Sequence, residues 1–219
     1  MLGRLLVAAR PLSRAFATRG QALATLKTCL TTESEHEKTE YARDTYLEDF
    51  IKKTGFKVEE NPEQVEVLLK KSIGNTEVVV SFLARPPEDP GPEGEEPADQ
   101  QADDDDNKSW VDFQASISTG AKGLIFECSS AKNEMTVNNI VVTRDVNSTE
   151  RVSNFLNAQK QYRGPDFDGL DEELQKAFMH YLSVHGVDED LATFIESYSL
   201  DKEQRLYMDW LAKVNSTLV

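Results

Sequence analysis

The order of amphipathic patterns along this 219-residue chain predicts an α+β fold: a helix first, an antiparallel sheet in the middle, helices last. Three observations carry that prediction. Residues 21–52 space their leucines and aromatics at the helical period, residues 56–144 alternate apolar and polar side chains between turn residues, and the helical period returns from residue 170 onward.

The first helix is expected over 21–52. Leu23, Leu26 and Leu30 recur at helical spacing, as do Tyr46 with Phe50 and Leu47 with Ile51, and Gly55 ends the run. Its middle, ESEHEKTE, is almost entirely polar. A helix with so little apolar surface projects, or packs along a narrow seam against another helix.

Strands follow. Phe56 and Val58 alternate with charged residues, and Val65, Val67 and Leu69 do so after the turn at Asn61 and Pro62. The run EVVVSFLA (77–84) is β-branched and apolar. Val111, Phe113, Ala115 and Ile117 alternate strictly with Asp112, Gln114, Ser116 and Ser118, the cleanest period-two signal in the chain. A turn at 119–123 leads to Leu124, Phe126 and Cys128, another strand is expected over 139–144, and a weaker one near 159–162. Consecutive strands on short turns imply an antiparallel meander.

The last third is helical. Leu170, Leu174, Phe178 and Leu182 fall four apart, with Asp168 as the expected N-cap and Asp171, Glu172 and Glu173 suited to a positive helix start. Gly186 breaks this helix, and a second stripe runs through Leu191, Phe194, Ile195, Tyr198, Leu206, Tyr207, Trp210, Leu211 and Val214. The first and last helices carry matching narrow stripes, so the terminal helices are expected to pair as a short antiparallel coiled coil.

Ahead of all this, residues 1–20 hold Arg4, Arg10, Arg14 and Arg19, and the first acid in the chain is Glu33. An Arg-rich, acid-free, amphipathic leader has the composition of a mitochondrial transit peptide. The apolar run 5–9 is too short for a secretory signal and is cut by Arg10. Cleavage is expected near Phe16/Ala17, leaving 21–219 as a single domain and placing the mature protein in the mitochondrial matrix. The sequons at Asn147 and Asn215 then carry no meaning, because a matrix protein does not meet the glycosylation machinery. No stretch is long enough to span a membrane.

The formal charge is −15, and losing residues 1–16, with three arginines and no acid, carries it to −18. Such a surface repels nucleic-acid phosphates, so direct nucleic-acid binding through a basic face is not expected, and it favours cationic partners. The charge is concentrated in residues 86–108, PPEDPGPEGEEPADQQADDDDNK, with Glu88, Asp89, Glu93, Glu95, Glu96, Asp99, Asp103, Asp104, Asp105 and Asp106 and five of the eight prolines. The segment reads as a disordered, solvated loop inside the domain, between two strands. Its role would be electrostatic, attracting basic partners at contact range, since attraction beyond ~8 Å is screened at cellular ionic strength.

Sites of chemistry are scarce. The Asp103–Asp106 run lacks the alternating ligands and closing Glu of an EF-hand loop, so no metal site is assigned; a low-affinity divalent-cation (calcium) buffer is the alternative reading of this loop. There is no phosphate-binding glycine loop, no dinucleotide fingerprint and no nucleophile elbow, and Gly120 with Gly123 fits a hairpin turn. His180 and His185, five apart, lie on different faces of one helix. Cys29 and Cys128 are too few for a disulfide framework and read as free thiols, Cys128 buried in a strand. No catalytic residue and no cofactor is expected.

LIFECSS (124–130), YRGPDFDGLDEELQKAF (162–178), YLSVHGVDEDLATFI (181–195) and DKEQRLYMDWLAKV (201–214), in this order with an Arg-rich leader and an acidic loop between the third and fourth strands, resemble the mitochondrial acidic matrix protein family. It is also called the mitochondrial glycoprotein family, and its animal member is known as a hyaluronan- and complement-binding protein. The resemblance covers about residues 21–219. It implies an N-terminal helix, a twisted sheet of seven antiparallel strands and two C-terminal helices, assembled as a ring-shaped homotrimer. A sheet with projecting helices exposes apolar surface that a closed cyclic assembly hides. Phe194, Tyr207, Trp210 and Leu211 are the candidates for helix or subunit packing; as plain core residues they fit as well. The family brings no catalytic residues. It implies a non-enzymatic, chaperone-like binding protein that engages basic mitochondrial proteins, such as ribosomal or RNA-binding proteins, in support of mitochondrial gene expression, translation or RNA processing.

Overall fold

The computed structural model describes residues 19–84, 110–143 and 162–218. The expected leader, the acidic segment 86–108 and all but Tyr162 of the weak strand near 159–162 lie outside them. The described residues fall into two units, one of residues 42–207 and one of the residues before 42 with those from 208 on.

The first helix is two helices. α1 (Arg19–Glu40) and α2 (Thr45–Thr54) are separated because Asp44 takes an extended conformation (φ −68°, ψ 126°) and its carboxylate accepts the Tyr46 N–H at 2.9 Å. That capping geometry restarts the helix where the side-chain period gave no sign of a stop. Gly55 closes α2 as expected, in the left-handed region at φ 75°, donating to Ile51 O at 3.0 Å.

Six strands make one antiparallel meander in chain order: β1 (Lys57–Glu60), β2 (Glu66–Ile73), β3 (Thr76–Leu83), β4 (Val111–Thr119), β5 (Lys122–Ala131) and β6 (Glu134–Thr143). The described residues thus hold six strands, not the seven expected. Val65 lies outside β2 and is exposed, and β6 begins five residues before its expected start. Met135 and Val137 alternate with polar neighbours there, but a register shift opposite Glu127 and Cys128 leaves Val137 and Ile140 three apart on the core side, which breaks the period ahead of residue 139. β3 and β4 pair directly (Val80 opposite Ala115), so the acidic segment joins neighbouring strands.

The core lies on one face. Val67, Leu69, Val78, Val80, Phe82, Phe113, Ala115, Ile117, Phe126, Cys128 and Val137 line it; those of β2, β4 and β5 are the positions that alternation predicts, whereas Val137 precedes the expected strand. Against them pack Leu47 and Phe50 from α2, Leu182 from α3 (Glu172–Val184), and Leu191, Phe194, Ile195 and Tyr198 from α4 (Glu189–Thr217). Phe50 and Phe194 stack with ring centroids 4.4 Å apart.

The cap of α3 is Asp171, not Asp168: the Asp171 carboxylate accepts the Glu173 N–H at 3.0 Å, while Asp168 sits in the 3-10 turn Phe167–Gly169. Steps of four drift about 40° each on a helix of 3.6 residues per turn. Leu182 is therefore fully buried while Leu174 is exposed. Gly186 ends α3 at φ 78°, with Val187 N–H returning to Leu182 O.

In the smaller unit, the least exposed positions of α1 are Leu23, Lys27, Leu30, Ser34 and Glu37, alternating by four and three. Toward the end of α4, Leu211 is buried and Val214, Asn215 and Leu218 are half-buried.

Candidate functional site

The densest polar constellation among the described residues joins the end of β1 to the middle of α4. Lys202 is fully buried, and its ammonium donates to the Asn61 carbonyl at 2.7 Å and lies 3.1 Å from Glu60 Oε2. Arg205 forks onto the same carboxylate at 2.7 and 3.3 Å, donates from Nε to Asp201 at 2.9 Å, and lies over the Tyr198 ring. Burial pushes the Glu60 carboxyl up, but the hydrogen bonds and charges of Arg205 and Lys202 outweigh it and hold the group below its ordinary value. Burial, then the Glu60 charge, drive the Tyr198 phenol up to about 12. These carboxylates and cations satisfy one another, so the constellation fastens β1 to α4.

A second fastener lies on the β5–β6 hairpin. Lys132 and Asn133 both turn through positive φ (54° and 64°), and the Asn133 N–H donates to Glu196 of α4 at 3.0 Å. The buried Ser130 hydroxyl also donates to Glu196. Arg163 pairs with Glu127 in the same way, from the chain entering the 3-10 turn to β5. Sequence reasoning missed all three. The Asp201–Arg205 pair, spaced i,i+4, was the one visible signal.

The ten candidate residues of the acidic segment, Glu88 to Asp106, lie outside the described residues. Of the packing candidates, Phe194 is in the core, Leu211 is buried, Tyr207 is half-buried and Trp210 is 55% exposed. Cys128 is buried in β5 and Cys29 is exposed on α1. Burial, reinforced by the Glu127 charge, pushes the Cys128 thiol up to about 12, so it stays a neutral apolar side chain. His185 caps α3 with Nδ1 2.7 Å from Tyr181 O. Among the described residues no group of three His, Cys, Asp or Glu side chains is placed to hold a metal, and no helix is long and apolar enough to cross a membrane.

Residues 26–218 match the family model described as MAM33, mitochondrial glycoprotein. The chain belongs to the mitochondrial glycoprotein family. Similarity to individual members is local: 35% identity over 101 residues with the mitochondrial acidic protein mam33 of Schizosaccharomyces pombe (45% of this chain, 38% of that protein). With an uncharacterized mitochondrial protein of Arabidopsis thaliana it is 32% over 91 residues (42% of this chain, 34% of that one). The matched region therefore spans little more than a third of either relative. Similarity of fold extends further. The crystal structure of the Trypanosoma brucei p22 protein superposes with a TM-score of 0.68 at 23% identity, over 90% of this chain and 99% of that one. A hypothetical Leishmania major protein, described as a sequence homologue of human p32 protein, gives 0.70 at 23% identity over the same shares. Membership makes this chain a mitochondrial acidic protein.

Proposed function

We propose that this family member is a non-enzymatic, chaperone-like binding protein of the mitochondrial matrix, working as a ring-shaped homotrimer that holds basic protein partners on its acidic segment. One observation carries the reading: ten acids, with no base among them, occupy residues 86–106 within the matched region, between strands that pair directly. Charge placed there need not disturb the core, and it selects cationic partners by complementarity. Ribosomal and RNA-binding proteins are the natural basic clients in a mitochondrion, which connects the protein to mitochondrial gene expression, translation and RNA processing. Residues 1–16 would serve import and be removed near Phe16/Ala17.

The trimer reading draws support from exposed apolar side chains on the larger unit, among them Val184 (63%) and Leu200 (56%). The four-three spacing of the less exposed positions in α1, with Leu211 and Val214 in α4 and Leu218 just after it, suits a narrow coiled-coil seam between the terminal helices. Three copies would present three acidic segments per particle, raising avidity without any new contact.

The test is the sedimentation mass of residues 17–219 at low and high salt, followed by titration with a Lys/Arg-rich peptide. A salt-resistant trimer that binds the peptide and releases it as salt rises supports the proposal. A monomer, or salt-independent peptide binding, overturns it. Calcium uptake at millimolar levels, lost when Asp103 to Asp106 become Asn, would favour the cation-buffer alternative.

A further inference from the structure

The sheet continues past the cover that α3 gives it. On the core side of β4, β5 and β6, Ile117 faces Leu124 across one pair and Leu124 faces Val142 across the next. Along that row exposure rises from the buried Ile117 through the half-buried Leu124 to Val142 at 75%. Tyr181 of α3, packed on Phe126 with centroids 6.3 Å apart, walls one side. The result is an open recess of about 550 Å³ whose rim includes Thr119 and Lys122.

The charge of the lining runs against the chain. Against 39 acids and 24 bases overall, the described residues of the lining carry one ammonium, Lys122, and no carboxylate. An apolar floor of this size with a few convergent polar groups is the composition of a small-molecule site. A single ammonium beside an apolar floor favours a monoanionic ligand. The basic partners proposed above have the wrong charge for it, so this inference stands apart from that reading.

We propose that the recess binds a small amphipathic carboxylate, with its alkyl chain on Leu124, Val142 and the Tyr181 ring and its carboxylate at the Lys122 ammonium. Because the recess is open, part of the ligand stays in water, and the affinity is weak, with Kd on the order of 1 mM.

Methyl NMR of the full chain titrated with octanoate tests this, with octylammonium as the charge-reversed probe. The expected result is saturable shifts confined to the methyls of Ile117, Leu124 and Val142, no saturable response there to octylammonium, and binding that strengthens about twofold per methylene from butyrate to octanoate. Lys122→Met should weaken octanoate about tenfold with an unchanged melting curve. Val142→Asp, at a position exposed enough to tolerate it, should abolish binding by setting a carboxylate beside the ligand's own. Shifts that do not saturate, shifts scattered over other exposed apolar residues, equal binding of octylammonium, or full affinity in Lys122→Met would each overturn the proposal.

Discussion

Lys202 is the residue on which the larger unit is most exposed to damage. Its side chain is 1% exposed, and Glu60 with the Asn61 carbonyl supplies its compensation. Removing one partner of a buried pair leaves an uncompensated charge, which costs more than the pair contributes when intact. Glu60→Gln is therefore expected to destabilise the fold by about 3 kcal/mol in urea melts, whereas Lys202→Met, which removes the buried charge itself, should cost under about 1 kcal/mol. If the two variants melted alike, the cluster would not be a charge-compensating fastener. The pH dependence has a definite sign. The folded Glu60 carboxyl sits below its ordinary value, so its contribution is fully present above the unfolded pKa of about 4.3 and is lost as pH falls through the folded value. Glu60→Gln should lose that acid-side slope. The cysteines give a second check: a thiol reagent near pH 8 should modify exposed Cys29 at once and Cys128, held near 12, only as the chain unfolds. Rapid modification of both would mean that β5 opens freely.

At the scale of elements, Gly123 sits where the β4–β5 hairpin leaves no room for a Cβ. A Cβ there would lie 2.8 Å from Ser118 Cβ, so the β4–β5 hairpin must shift to admit even alanine. Gly123→Ala should cost about 2 kcal/mol in stability, read from the urea midpoint at unchanged slope. A neutral result would show that the hairpin end yields easily. Such details bound what the sequence could disclose. β4 was legible because one face of it is core, so Val111, Phe113, Ala115 and Ile117 had to alternate with polar residues. Gly55 and Gly186 were legible because each ends a helix in a backbone region that favours glycine. The break at Asp44 was hidden, since a capping aspartate looks like any polar helix residue until its backbone turns extended. The first half of β6 was hidden because a register shift sets Val137 and Ile140 three apart on the core side, so the alternation begun by Met135 and Val137 does not run on. Of the candidate site, the acidic segment could be read from composition, whereas Glu60 and Lys202 are 142 residues apart and only the fold brings them within 3.1 Å.

For the molecule as a whole, the two kinds of charge should separate under salt. Ion pairs of the Glu60–Lys202–Arg205 cluster are largely buried and therefore weakly screened, while solvated acidic residues acting on a partner are screened beyond ~8 Å at physiological ionic strength. Raising salt from about 0.05 to 0.5 M should thus release a Lys/Arg-rich peptide while leaving the melting temperature nearly unchanged. Changing the ten acids of 86–106 to Asn and Gln removes ten negative charges and takes the formal charge of residues 17–219 from −18 to −8. That variant should keep the wild-type melting curve and sedimentation mass, bind the peptide at least tenfold more weakly, and lose most of the salt dependence, measured by titration calorimetry across the salt series. Unchanged affinity would move the binding surface to acids elsewhere on the chain. Weakened binding with the salt dependence intact would point to a surface whose charges lie outside 86–106 but whose contact includes it. A lost trimer would mean that the segment shapes the assembly itself, and the peptide result would have to be read through avidity rather than through local charge.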